Sequence, residues 1–190
     1  MELSLIISIF LGVGLATAVG FRVFLPLLIL SICTYYDIIS LQEGWQWVGS
    51  IPALVLLATA TVVEILGYYI PWVDNLLDTI AVPLAGIAGT AVMLATLGDL
   101  QPLITWSLAI IAGGGTAAIV AGTTSATRAA STVTTGGLAN PVVSTVETGV
   151  SVVMSIISIF IPILAVILAV FILFGIHKFY KRLKNRKRKI

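Results

Sequence analysis

The most regular feature of the chain is a series of long apolar runs separated by short polar or glycine-containing breaks. A transmembrane helix needs about 20 apolar residues. Four runs come close to that length: residues 3–19, 50–66, 79–97 and 103–122. The run 142–176 is too long for one crossing, so we predict a short helix there and then a full span that begins near Ser155. Together with a shorter piece at 23–36, the pattern predicts an all-α membrane bundle of about six spans.

An offset of 106 positions recurs along the chain and suggests an internal repeat. It aligns two pairs of polar residues, Arg22 with Arg128 and Thr17 with Thr123. It also aligns two ladders of small residues at helical spacing, Gly12, Ala16 and Gly20 with Ala118, Gly122 and Ala126. Small residues four apart let helix backbones approach closely in lipid. We therefore predict two halves, residues 3–97 and 103–176, each with broken helices and three crossings. An odd number of crossings inverts the second half, as in many transporters.

Composition and charge divide the chain into two unlike parts. Charged residues make up 9% of the sequence, against about 25% in a soluble domain. Residues 1–176 hold only two basic groups and are predicted to form a single transmembrane domain. The other eight Lys and Arg lie in the tail, residues 177–190. Basic residues beside a span stay in the cytoplasm and attract anionic lipid headgroups, so we expect a cytoplasmic tail. With six spans the N-terminus is cytoplasmic too, and the loop 37–47 is external.

Arg22 and Arg128 are the two positive charges outside the tail. An arginine stays charged at physiological pH, and placing it within a span costs from about 3 to over 10 kcal/mol. Glu64 and Glu147 are the predicted charge partners. Three interpretations stay open: ion pairs that fix the helix register, a cavity in which the arginines attract an anionic group or act as a gate, or side chains that extend to the lipid headgroups. A helix that starts after Gly20 would point free N–H groups at the same region, which also favours anions.

Hydroxyl side chains crowd the segment around Arg128. Residues 123–135 carry eight Thr and Ser, among them Thr123, Thr124 and Thr127. Such hydroxyls either bond back to the carbonyls of their own helix or line a polar site near the membrane midplane. On the second interpretation, these three residues and Thr17 are candidate substrate or gate residues.

Asp74 and Asp78 are a further candidate pair. They lie four residues apart, so they share one face if this segment is helical. They could cap a helix or bind a cation at the membrane interface, and a solvated interfacial turn is the alternative.

The sequence offers little for catalysis or for a metal. Cys33 is the only cysteine, so neither an internal disulfide nor a thiolate cluster can form within the chain. His177 is the only histidine, and no interior histidine exists for a catalytic triad. We predict no enzyme activity, no metal and no cofactor. We also expect no nucleic-acid partner, because lipid headgroups explain a basic segment directly after a span.

Three motifs resemble a known family. They are Gly20-Phe21-Arg22-Val23-Phe24-Leu25-Pro26-Leu27-Leu28, then Tyr68-Tyr69-Ile70-Pro71-Trp72-Val73-Asp74 with Asp78, and then Thr127-Arg128-Ala129-Ala130 through Asn140-Pro141 to Glu147. The chain resembles, from about Gly12 to Glu147, the domain-of-unknown-function 4126 family of small bacterial membrane proteins. The resemblance implies a multi-pass protein of the bacterial plasma (inner) membrane. It implies no activity.

The predicted function is therefore that of a small membrane transporter or channel-like permease. Its polar site would lie where the two halves meet, and its unknown small solute would be anionic if the arginines bind it. The alternative is a membrane protein that does not transport, but binds or rearranges lipids or scaffolds a partner. A closed cavity between the halves would favour transport, and a groove open to lipid would favour lipid handling. A homo-oligomer is compatible with either function.

Overall fold

The computed structural model describes residues 2–98 and 100–187, and this part of the chain is helical, with turns and loops but no strands. The helices are α1 (Glu2–Phe21), α2 (Phe24–Tyr35), α3 (Ile51–Gly67), α4 (Pro71–Thr96), α5 (Pro102–Leu108), α6 (Gly115–Thr135), α7 (Asn140–Phe160) and α8 (Pro162–Lys187). A 3-10 segment, Glu43–Gly49, precedes α3. A π-helical segment, Ala109–Gly114, joins α5 to α6. The predicted all-α architecture is confirmed.

The helical stretches that are candidate membrane spans by length and composition are fewer than the six spans predicted. Among the described residues, four helical stretches are long and apolar enough to cross: Leu3–Phe21, Trp72–Thr96, Pro102–Thr135 and Asn140–Phe160. Glu43–Gly49 and Ile51–Gly67 together make a fifth, bent by 65°. Phe24–Tyr35 and Pro162–Lys178 are shorter apolar helices. The chain is therefore a multi-pass membrane protein with four or five candidate spans.

Helices α1 and α6 run in the same direction. A Cβ on Gly12 would lie 2.3 Å from Met93 Sδ, and one on Gly113 would lie 2.7 Å from Met93 Cβ, so both glycines lie at the level of Met93. Farther along, a Cβ on Gly20 would lie 2.4 Å from Val120 Cβ. An inverted repeat places equivalent helices antiparallel. The structure therefore does not support the predicted inversion of the two halves.

Helices α7 and α8 form an antiparallel pair beside α1. Ser151 Oγ donates to the carbonyl of Ala18 at 3.0 Å, and a Cβ on Gly14 would lie 2.4 Å from Ser158 Oγ. That Cβ would also lie 2.7 Å from Ala165 Cβ, at the start of α8. Four serines of α7, at positions 144, 151, 155 and 158, are fully buried. Short hydroxyl side chains thus allow α1 and α7 to approach closely.

The direction of α8 corrects the predicted topology. Ile172 and Ile176 line the same groove as Phe21, the last residue of α1. Helices α1 and α8 therefore run in the same direction, and the start of α1 and the basic tail lie at opposite ends of the bundle. The prediction that both lie on one side depended on an even number of crossings and is wrong. Residues 188–190 of the predicted tail lie outside the described residues.

Two helix boundaries also differ from the prediction, for local reasons. The run 142–176 breaks between Phe160 and Pro162 rather than near Ser155, because a proline ring clashes with the preceding turn of a helix. The hydroxyl-rich segment is not a separate element, since α6 continues through it to Thr135. Gly136 ends α6 with φ of 65°, a left-handed conformation that suits glycine.

Candidate functional site

Arg22 lies in the break between α1 and α2 and is 1% exposed. Its guanidinium reaches across to α7, where Nη2 donates to the Ser144 carbonyl at 2.8 Å and also to the Ser144 hydroxyl. Nε donates to Thr148 Oγ1 at 3.0 Å. The nearest carboxylate is Glu147, with Oε2 at 3.8 Å from Nη2. Arg22 thus ties the end of α1 to the first turns of α7.

Arg128 lies on α6, is also 1% exposed, and is surrounded by carboxylates. Nε lies 3.0 Å from Asp78 Oδ1, and Nη2 lies 2.5 Å from the same oxygen. Nη1 donates to Glu147 Oε2. Asp74 Oδ1 lies 3.5 Å from Nε. One guanidinium therefore faces three carboxylates, and Glu147 is shared with Arg22.

The ring of Tyr68 links the two arginines. Arg22 Cζ lies 4.2 Å and Arg128 Cζ 4.0 Å from the ring centroid, which is within the range of cation–π contact. Tyr68 occupies the corner between α3 and α4 and is 5% exposed. Burial raises the pKa of its phenol to about 12, so the ring stays neutral at physiological pH. The α3–α4 corner is thus fixed to both guanidiniums.

Glu64 does not bind either guanidinium directly, contrary to the prediction that it would be a charge partner. Its two carboxylate oxygens accept from the backbone N–H groups of Val23, at 2.8 Å, and Phe24, at 3.0 Å. These are the free N–H groups at the start of α2, which were expected to attract an external anion. A carboxylate of the protein occupies that position instead, where the helix dipole also stabilises it.

Asp74 and Asp78 share one helix face as expected, but that face points into the bundle. Asp74 is fully buried, and its Oδ2 accepts from Asn140 Nδ2 at 2.7 Å. Asn140 Nδ2 also donates to Thr132 Oγ1 at 2.9 Å. Neither aspartate caps α4, which begins earlier than predicted, after Ile70, and carries both aspartates to Arg128. The role as a cation site stays a prediction.

We call this group of eight side chains the charge cluster: Arg22, Glu64, Tyr68, Asp74, Asp78, Arg128, Asn140 and Glu147. With every charged group ionised, its four carboxylates and two guanidiniums sum to −2. Within the described residues, four atoms of the cluster are buried without a hydrogen-bond partner: Arg22 Nη1, Asp74 Oδ1, Asn140 Oδ1 and Glu147 Oε1. Buried polar atoms are normally paired. The cluster thus has both unbalanced charge and unused bonding capacity.

The four predicted threonines bond within their own helices. Thr17 donates to the Val13 carbonyl at 2.8 Å. Thr123, Thr124 and Thr127 likewise donate to carbonyls three or four residues earlier. Their hydroxyl hydrogens are therefore bonded to carbonyls of their own helices. This matches the first of the two interpretations of the hydroxyl-rich segment, in which the hydroxyls bond back to their own helix.

A groove on the outside of the bundle reaches the charge cluster at Glu147. Its volume is about 360 Å³. Helices α6, α7 and α8 form most of its walls, with Phe21 at the end of α1. Thr123, Thr124 and Thr127 lie along it, whereas Val142 and Val146 on its rim are 66% and 61% exposed. An apolar groove open to the side thus leads to a buried carboxylate.

Sequence reasoning missed three members of the site. Tyr68, Asn140 and Ser144 received no role of their own in the sequence analysis. Asn140 begins α7 and Tyr68 follows α3, so both occupy positions at helix ends that face the same end of the bundle. The detectable signal was the resemblance itself, because the quoted motifs contain Tyr68 and Asn140 beside the charged residues.

The fold and the site together define an all-helical, multi-pass membrane protein with a buried cluster of ionisable side chains. The chain belongs to the family described as a domain of unknown function (DUF4126), which it matches over residues 9–182. The family predicted from the three motifs is therefore confirmed. No curated protein and no solved structure matches the chain.

Proposed function

We propose that this protein is a small membrane transporter and that the charge cluster is its ion-binding centre. The observation that carries the proposal is the excess of carboxylates, four against two guanidiniums, in a buried site with unpaired polar atoms. Ionisable residues inside a membrane protein are costly and usually mark an ion or substrate pathway. A purely structural set of ion pairs needs equal numbers of positive and negative groups. This cluster has two more carboxylates than guanidiniums.

The sign of the cluster favours a cation or a proton over an anion. The anion hypothesis required guanidiniums or helix N–H groups with no internal acceptor. Arg128 already faces three carboxylates, and Glu64 occupies the start of α2. A bound cation would bring the formal charge of −2 closer to zero, whereas a bound anion would make it more negative. We therefore assign a positively charged small solute to this site.

The orientation follows from the tail. Arg22 and the start of the basic segment, His177 and Lys178, lie toward the same end of the bundle, as the directions of α1 and α8 require. We propose that this end is cytoplasmic, in a bacterial plasma membrane, because basic residues beside a span are retained inside. The charge cluster then lies near the cytoplasmic end of the bundle, and the loop that contains Asp37 and Trp47 lies on the external side.

Flux in liposomes tests the proposal. Purified protein would be reconstituted into vesicles of phosphatidylethanolamine and phosphatidylglycerol, and fluxes of H⁺, Na⁺, K⁺ and Cl⁻ would be measured with ion-sensitive dyes. We expect cation flux that Asp78→Asn abolishes. Asp37→Asn is the matched control, because Asp37 is exposed in a distant loop and has φ of 55°, which asparagine tolerates. Protein-dependent Cl⁻ flux without cation flux would refute the assigned sign.

Lipid binding is the second candidate function, and the groove at Glu147 is the observation that favours it. The groove opens to the outside of the bundle rather than lying closed inside it. Its apolar walls suit an acyl chain, and the tail that begins beyond Ile176 could hold an anionic headgroup. Native mass spectrometry of the protein in mixed lipid micelles would test this. Retention of phosphatidylglycerol that Val146→Trp reduces, with no cation flux in vesicles, would favour lipid handling over transport.

A further inference from the structure

We propose that Asp74 binds a proton within the charge cluster and that Asn140 is its partner in the protonated state. The inference rests on the proposed transport function only for its biological role, in which the proton is the coupling ion. The binding itself is argued from the contacts of Asp74, which differ from those of every other carboxylate in the cluster.

The other three carboxylates each have charged or multiple donors. Glu64 accepts two backbone N–H groups. Asp78 accepts both Nε and Nη2 of Arg128. Glu147 accepts Nη1 of the same guanidinium. Asp78 and Glu147 thus each accept a hydrogen bond from a guanidinium, and Glu64 accepts two from the backbone. Asp74 accepts none from a guanidinium, although its Oδ1 lies 3.5 Å from Arg128 Nε.

The hydrogen bonds of Asp74 suit a neutral carboxylic acid better than a carboxylate. Its one hydrogen bond comes from a neutral amide, Asn140 Nδ2 to Oδ2 at 2.7 Å. Oδ1 of Asp74 and Oδ1 of Asn140 are both buried without a partner. Two acceptors cannot satisfy each other, but a proton on Asp74 Oδ1 makes that oxygen a donor to the amide oxygen. One proton therefore pairs two unsatisfied atoms, and the acid and the amide then bond through two parallel hydrogen bonds.

An ionised Asp74 has a different partner available. Its Oδ1 already lies 3.5 Å from Arg128 Nε, so loss of the proton to water would favour closer approach to that guanidinium. Arg128 would then divide its donors between Asp74 and Asp78. Proton binding thus selects between an Asp74–Asn140 pair and an Asp74–Arg128 pair. Because Asn140 begins α7 and Arg128 lies on α6, the proton would shift the relation between these two helices.

The surrounding charges oppose one another. Arg128 from α6 and Arg22 from the α1–α2 break bring positive charge to this part of the cluster. Asp78 on the same helix, Glu147 from α7 and Glu64 from α3 bring negative charge. Tyr68 at the α3–α4 corner is neutral. Asp74 therefore lies among charges of both signs.

Infrared spectroscopy of the purified full-length protein tests the proposal, because a protonated carboxyl has its own C=O band, which shifts in D₂O. We expect such a band at neutral pH that disappears as the pH is raised. It should be absent from Asp74→Asn and unchanged in the control Asp37→Asn. Asn140→Leu removes both the acceptor of the acid O–H and the N–H donor to Oδ2, so the C=O band of protonated Asp74 should lie at higher frequency in this variant than in the parent.

Three outcomes would overturn the inference. They are a band that survives in Asp74→Asn, the same band frequency in Asn140→Leu and the parent, and loss of the band on adding Na⁺ at constant pH, which would indicate a metal cation. If Asp74→Asn does not fold, the parent and Asn140→Leu still decide the question. Titration of Asp74 without flux in vesicles would leave the inference standing and end the transport proposal. Cation flux without any titrating Asp74 would do the reverse.

Discussion

Replacement of Arg128 by glutamine tests whether the charge cluster holds the bundle together. The change leaves Asp78 without its bidentate partner and Glu147 with only the longer contact to Arg22, at 3.8 Å. Removing one member of a buried ion pair costs about 3–5 kcal/mol. At about 2–4 °C per kcal/mol for a chain of this size, the melting temperature should fall by roughly 6–20 °C.

The assay is thermal unfolding in detergent, followed by circular dichroism and by the loss of monodisperse protein on size exclusion. Lys178→Gln is the control, because it also removes one positive charge but from an exposed position in the tail. Its melting temperature should match that of the parent. Adding Asp78→Asn to Arg128→Gln should recover part of the loss, by about 0.5–3 kcal/mol, since the two residues are in contact. A melting temperature of Arg128→Gln within about 1 °C of the parent would refute the structural role of the cluster.

Three further predictions concern other parts of the fold. Glu64→Gln should cost about 1.5–3 kcal/mol of stability, because the charged acceptor of two backbone N–H groups is lost; unchanged melting would contradict this capping role. Gly113→Val should prevent folding, because a Cβ there would lie 2.5 Å from a backbone oxygen of α4. Gly149→Ala is the control, since a Cβ at Gly149 has open space and the variant should melt like the parent. A folded Gly113→Val would show that the helices can separate. Cysteines placed at Ser40 and Lys181 should react with an impermeant maleimide from opposite sides of the membrane, and labelling of both from one side would contradict the helix directions.

The sequence predicted much of the helical architecture, because its signals are local. The break at Gly20-Phe21-Arg22 lies where α1 ends and α2 begins, and the apolar run 50–66 corresponds to α3. The run that starts α4 was placed too late, because the polar segment with Asp74 and Asp78 did not fit an apolar pattern. The break near Ser155 was also misplaced, although Pro162 was present as the stronger helix-breaking signal.

The partners within the site could not be deduced from the sequence, because they depend on helix direction. Glu64 was the expected partner of an arginine, yet it binds the backbone at Val23 and Phe24. The spacing of Asp74 and Asp78 predicted a shared face but not the Arg128 that this face meets. The repeat offset aligned the two arginines in sequence, and both contact Tyr68 in the structure, but no pattern of apolar runs specified that α1 and α6 are parallel.

The sharing of Glu147 and Tyr68 by both arginines makes the charge cluster a single cooperative unit. Five elements supply its side chains: the α1–α2 break, the end of α3 with its corner, α4, α6 and α7. Displacing any one of these elements changes a contact of at least one guanidinium, and the shared carboxylate and ring pass that change to the other. A rearrangement that moves one of these elements therefore disturbs both guanidiniums together, because they share a carboxylate and an aromatic ring.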